Sequence, residues 1–200
     1  MPKNRAISCF IMLLGLCFLA GTCFAEQVRE ESRSRCLQSI EFLTGFSKAN
    51  LRHGGDYTLV PIIVDFDFNL KPLTEKIDFN PPVLFQFQLE PSISPVTESD
   101  ANVEIGTGFI LKIGLLPETS KFQPYIKGGP GIAYTTQHTR EQGTQFNFFQ
   151  YAGMGMHYFF TKDMAFTVEG RYRHLSNCGI RQPNHGINSF FALLGIAYQF

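Results

Sequence analysis

The residues best suited to covalent chemistry are His174 and Ser176, two positions apart at the end of a strand-like run. Side chains of a strand alternate between its faces, so positions i and i+2 share one face. An imidazole and a hydroxyl are thereby set side by side. A histidine able to take a serine's proton is the minimum apparatus for nucleophilic acyl transfer. The pair opens the stretch 173–188, in which a loop rich in Asn, Gly and Pro leads into a last strand-like run. His-x-Ser by itself also describes a surface histidine beside an unreactive hydroxyl. The elements that carry the pair therefore decide how it is read.

From Cys36 onward the dominant period is two. Val64, Phe66 and Phe68 alternate with Asp65, Asp67 and Asn69; Val83, Phe85, Phe87 and Leu89 alternate with Gln86, Gln88 and Glu90. Similar runs cover residues 40–46, 103–113, 122–136, 144–160, 164–176 and 189–200. The 144–160 run has aromatic residues on both faces, which leaves its orientation open. These are eight candidate strands, an even number, most of them as long as the ~9–11 residues of a tilted membrane crossing. Strands of soluble sandwiches are nearer ~5–6 residues. One face of each run is apolar and the other is polar or glycine. In a small membrane barrel the apolar face meets lipid, and glycines relieve crowding in the narrow interior. A soluble lipocalin-like barrel has the opposite sense, and alternation alone does not separate the two. The chain finishes on Phe200 with Tyr198 two positions earlier, which resembles the C-terminal signal of bacterial outer-membrane barrels. The expected fold is all-β, an eight-stranded antiparallel transmembrane β-barrel.

Composition narrows the partners. Lys plus Arg and Asp plus Glu both number 17 in 200 residues, a balance that does not point to nucleic acid. Phe is abundant at 21 residues, Gly numbers 18 and Trp is absent. The one long apolar run, residues 6–20, follows Lys3 and Arg5 and precedes a small residue at Ala25. This reads as a secretory signal peptide over 1–25, then a polar periplasmic lead-in over 26–35 and the barrel over 36–200. A membrane anchor is the alternative for the first segment, but the run is short for a spanning helix. Cys9, Cys17 and Cys23 leave with such a leader. Cys36 and Cys178 remain, and a disulfide between them is an open question in an oxidising compartment. No Cys/His spacing matches a zinc site.

An even number of strands puts both chain ends on one side, the periplasm for barrels of this kind. The seventh run then travels outward and ends at the cell surface with His174 and Ser176. The link at 161–163 is short, like a periplasmic turn, and the 177–188 loop is longer, like an extracellular one. By parity Met164, Phe166, Val168 and Tyr172 face lipid, while Thr167, Glu169, Arg171 and Arg173 face the interior. His174 and Ser176 continue the lipid-facing row. Polar groups facing lipid cost free energy unless paired. The two residues therefore either mark a site or lie just above the hydrocarbon, among hydrated head groups.

The pattern His174-x-Ser176-Asn177-x-Gly179 followed by Gln182-Pro183-Asn184-x-Gly186 resembles the lipid A 3-O-deacylases of the Gram-negative outer membrane. The likeness extends loosely over 36–200 and is specific in the last quarter. It implies a barrel that hydrolyses the ester-linked acyl chain at the 3-position of lipid A, with no cofactor. By this resemblance Ser176 is the nucleophile, His174 is the general base, and Asn177 and Gly179 stand where the oxyanion donors belong. The implied partner is lipid A or lipopolysaccharide of the outer leaflet, with no nucleic acid; a homodimer is left open. Arg140 and Arg181 are rim cations suited to lipid A phosphates. One departure stands out: the family's triad acid, a Glu in its characterised pattern, corresponds to Asn188. An amide oxygen can hold an imidazole tautomer, as in Cys-His-Asn sites, but it supplies no negative charge. A non-catalytic barrel, structural or ligand-binding, is the competing expectation, and a soluble periplasmic lipid carrier is a third.

Overall fold

The structure, a computed structural model, describes residues 36–53, 55–97 and 102–200. The expected leader at 1–25 and lead-in at 26–35 lie outside the described residues.

Among the described residues the eight alternating runs fall in strands and a short extra strand, β2, joins them: β1 (Leu37–Asn50), β2 (Asp56–Leu59), β3 (Ile62–Asn69), β4 (Val83–Val96), β5 (Asn102–Pro117), β6 (Phe122–Thr135), β7 (Phe146–Phe159), β8 (Met164–Ser176) and β9 (Ile187–Gln199). A single helical turn, α1 (Lys71–Thr74), and a 3-10 turn (Glu75–Ile77) lie between β3 and β4. β2 and β3 both pair with β1 on one side and β4 on the other, so together they fill one place in the wall. They are separated at Val60-Pro61, where proline has no N–H to give to a ladder. Each strand runs antiparallel to its neighbour, and β1 pairs with β9 from Ser39↔Gln199 to Lys48↔Phe190. That pairing closes an eight-membered barrel and, among the described residues, leaves no edge strand with unpaired backbone groups.

The sense of the wall follows from β8. Phe166 and Val168 are 53% and 54% exposed, whereas Thr167, Glu169, Arg171 and Arg173 are buried. Apolar side chains point out and charged ones point in, the reverse of a soluble barrel. β7 obeys the same rule. Asn147, Phe149, Tyr151 and His157 are buried, and Met154 and Met156 face outward. The aromatics on both sides of this strand are therefore interior packing on one face and lipid contact on the other. Glycine makes the interior aromatics possible: a Cβ on Gly155 would lie 2.5 Å from Tyr125 Cζ, and one on Gly131 would strike the Phe149 ring.

The barrel interior holds a salt-bridge network. Lys127 Nζ lies 3.2 Å from Asp65, 3.1 Å from Glu90 and 3.1 Å from Glu169. Arg171 Nη1 donates to Glu90 at 2.6 Å, and its Nε donates to Glu169. Tyr125 and Tyr151 give their hydroxyl protons to Glu169 and Glu90, both at 2.7 Å. Towards the loop end, Arg173 Nη1 donates to Glu104 at 2.6 Å, and Tyr57 donates to the same carboxylate at 2.8 Å. Removing one member of a buried ion pair leaves the others uncompensated, at a cost of about 3–5 kcal/mol. Lys127→Met removes the ammonium shared by three carboxylates. Its folded state in micelles should be weaker by about that amount in denaturant titration. Unchanged stability would mean that the network is not what holds the wall.

Cys36 and Cys178 are both free and exposed. Cys36 directly precedes β1 and Cys178 follows β8 by two residues, at opposite ends of the barrel, too far apart for a disulfide.

Candidate active site

β8 delivers the row Phe166, Val168, Tyr172, His174, Ser176 along the outer wall to the loop end of the barrel. Register sets the neighbours. His174 is opposite Gln150 of β7 on one side and Asn188 of β9 on the other, a transverse polar row across three strands. Below it, towards the middle of the wall, Tyr172 packs on Phe190 with ring centroids 5.0 Å apart. Ser176 is opposite Phe148. The polar row thus lies near the loop end of β8 and β9, while on β7 the outward face continues past it with Phe148 and Phe146.

His174 Nδ1 donates to Asn188 Oδ1 at 2.7 Å. That bond fixes the tautomer and leaves the lone pair on Nε2 free to accept a proton. The ring is also held from the loop side. Gly186 has φ +74, and a Cβ there would lie 2.5 Å from His174 Cε1. Only a residue without a side chain meets both the left-handed backbone and the contact with the imidazole edge. Ser176 shares the face of His174, but among the described residues its hydroxyl has no hydrogen-bond partner. The structure therefore joins His174 to Asn188 directly and sets Ser176 beside them without a bond to Nε2. Catalytic hydrogen bonds are often loose before substrate binds.

Asn177 and Gly179 are engaged differently from what oxyanion donors would require. Asn177 is fully buried. Its backbone N–H donates to Gln142 Oε1 at 3.1 Å and Asn184 Oδ1 at 2.9 Å. Its side-chain amide donates to the carbonyls of Arg181 and Pro183, and its Oδ1 receives the Gly179 N–H at 3.0 Å. Both N–H groups are committed within the loop, and Asn177 ties residues 177–184 into a compact knot. Arg140 and Arg181 are exposed at the same rim.

A groove of ≈ 440 Å³ runs along the outer wall beside His174, lined by Gly129, Pro130, Gln150, Tyr151, Ala152 and Tyr172. Its floor is low because the outward-facing position 152 carries only a methyl group and its partner across the pair is Gly128. Its size is typical of ligand sites. Two members of this region carry a signal in the sequence that composition alone does not reveal. Gln150 is a lone polar residue on the outward parity of its strand. Gly186 repeats the glycine of the Asn-x-Gly pattern. Glu141 and Gln142, which hold the loop, lie in an aperiodic stretch and carry no comparable signal. Among the described residues no group of three or more His, Cys, Asp or Glu is arranged to hold a metal ion.

A closed eight-stranded wall, apolar outside and charged inside, defines a small β-barrel of the Gram-negative outer membrane. The family model for "Lipid A 3-O-deacylase (PagL)" matches residues 66–197, and the chain belongs to that family. Solved structures agree on the fold. The barrel is similar to Neisserial surface protein A (TM-score 0.62, 11% identity, 81% of this chain and 96% of that one). It is also similar to the outer-membrane enzyme PagL (TM-score 0.55, 14% identity, 78% and 97%). The N-terminal barrel of Pseudomonas aeruginosa OprF aligns with TM-score 0.50, 14% identity, over 83% and 100%. At these identities the likeness speaks for the fold alone. No curated protein matches the sequence.

Proposed function

We propose that the protein is an outer-membrane serine esterase that removes the ester-linked acyl chain from the 3-position of lipid A. The observation that supports this most directly is the 2.7 Å bond from His174 Nδ1 to Asn188 Oδ1 on the lipid-facing wall, with Ser176 on the same face. Family membership adds to it.

In this reading the ester carbonyl comes to rest beside Ser176, with its acyl chain along the groove at Tyr172 and Ala152. His174 Nε2 takes the proton of Ser176 Oγ as the oxygen attacks the carbonyl carbon. The imidazolium then protonates the departing sugar oxygen, leaving an acyl-serine. Water, deprotonated by the same Nε2, releases the fatty acid and restores Ser176. Asn188 holds the ring orientation throughout. Use of the Asn177 and Gly179 N–H groups as oxyanion donors requires them to turn from Gln142, Asn184 and Asn177 Oδ1 towards the developing charge. Arg140 and Arg181 are placed to meet phosphate groups of the substrate. No cofactor enters the scheme. Residues 1–25 serve as the export leader.

The competing reading is a non-catalytic barrel of the same fold. Asn188 in place of a carboxylate and the unbonded Ser176 hydroxyl favour it. Mass spectrometry of lipid A from Gram-negative cells with and without the protein separates the two. The expected result is loss of the mass of one acyl chain when the protein is present; identical spectra would favour the non-catalytic barrel.

A further inference from the structure

We propose that Glu141 and Gln142, on the connection between β6 and β7, form a clamp that positions the nucleophile loop, and that His53 on the connection between β1 and β2 locks the clamp from the other side. The inference rests on the esterase reading for what the loop does, and on separate geometry for how it is held.

Gln142 accepts the N–H of Asn177 at 3.1 Å. That N–H belongs to the peptide group joining Ser176 to Asn177, so Gln142 grips the nucleophile's own backbone. The same two segments are joined by a β-bridge between Gln142 and Asn184 and by the Gly143 N–H donating to the Pro183 carbonyl at 2.7 Å. A Cβ on Gly143 would collide with the Gln182 carbonyl, so the two chains meet at backbone contact. One residue earlier, the Glu141 carbonyl receives the N–H of His185 at 2.9 Å, next to the Gly186 that walls the His174 ring. The clamp therefore bears on both sides of the site.

Glu141 is in turn fixed by the first loop. Its Oε1 receives the backbone N–H of His53 at 2.9 Å and lies 3.2 Å from His53 Nδ1. The His53 and His185 rings are 5.1 Å apart, which brings three connections together at one point. Glu141 and Gln142 are buried at 1% and 8% exposure. Loops normally leave their polar groups in water, and a buried carboxylate or amide is costly unless bonded. Here the Glu141 carboxylate is bonded to His53 of the first loop, and the Gln142 oxygen is bonded to the segment that follows Ser176. Such a segment matters because misplacing a reacting group by 1 Å can cost ~10²-fold in rate. Gln142 also makes a clean experiment possible. Its Nε2 has no partner in the structure, so only its acceptor oxygen is in use.

The test uses the full chain refolded in micelles with every cysteine except Cys178 replaced by serine. Cys178 is exposed in the clamped loop and takes a spin label. Gln142→Met keeps the bulk and removes the acceptor; Gln142→Glu keeps the acceptor. The label should be ordered in the parent and in Gln142→Glu, and mobile in Gln142→Met. With lipid A in mixed micelles, Gln142→Met should lose about tenfold in kcat with KM within about twofold, the equivalent of one hydrogen bond, and Gln142→Glu should recover most of it. A label equally ordered in Gln142→Met would overturn the clamp, and a mobile label with unchanged kcat would overturn its positioning role. A parent that deacylates nothing would defeat the esterase reading instead, while the label would still judge the clamp.

Discussion

Ser176→Ala and His174→Ala should each reduce deacylation of lipid A to background while leaving the barrel folded. In the proposed reaction the two side chains act on one proton, so losing either forfeits the transfer, and the double variant should be no worse than the singles. In the serine-protease precedent such a loss reaches about 10⁶-fold in kcat. An enzyme without a triad carboxylate starts lower and has less to lose. Stability should stay within about 0.5 kcal/mol, because both residues lie on the outer wall at the loop end, away from the interior ion pairs. Gel mobility of unheated samples reports the fold, and fatty-acid release from mixed micelles reports the chemistry. Equal release from the wild type and Ser176→Ala would remove the pair from the mechanism.

Asn188→Glu should raise turnover. The amide oxygen already receives the His174 Nδ1 proton at 2.7 Å, so the geometry for a triad acid is present and only the charge is missing. A carboxylate there would stabilise the imidazolium formed when Ser176 attacks. In the serine-protease template, exchanging the acid for its amide costs ~10⁴ in kcat, which sets the ceiling for the reverse change. A gain of at least about tenfold, with KM little altered, is the expected outcome. Asn188→Ala should move the rate the other way by less than either member of the pair, since an amide only orients the ring. If neither the wild type nor Asn188→Glu frees an acyl chain, the row on the outer wall is an inherited form without its chemistry.

Period two was enough to read β8 correctly: Thr167, Glu169, Arg171 and Arg173 are interior, and Phe166, Val168 and Tyr172 are exterior. It also put His174 and Ser176 on one face, because positions i and i+2 of a strand share a side. The second stave was only partly legible. Residues 64–68 alternate, but β2 is four residues long and ends before Pro61, so no period can establish itself there. The face of β7 stayed open because its aromatics serve two environments, and only the glycines opposite reveal which rings are inside. Register was beyond reach, and with it the pairing of His174 with Gln150. The bond from the Asn177 N–H to Gln142 was hidden because folding brings Gln142 in from another loop, whereas the Asn184 and Gly179 bonds close within the loop itself and depend on its particular turn.

The polar row of His174 lies on the outside of the wall, and this changes what concentration means for the proposed reaction. A lipid reaches such a site by sliding sideways in its own leaflet, without ever crossing water. Encounter is a two-dimensional process, governed by how many substrate molecules occupy a unit of surface. The relevant variable is mole fraction in the leaflet, and diluting the surface with inert lipid slows the reaction even when the total amount in the tube is constant. The freed fatty acid is likewise released into the plane of the membrane, where it competes for the same groove until it diffuses away.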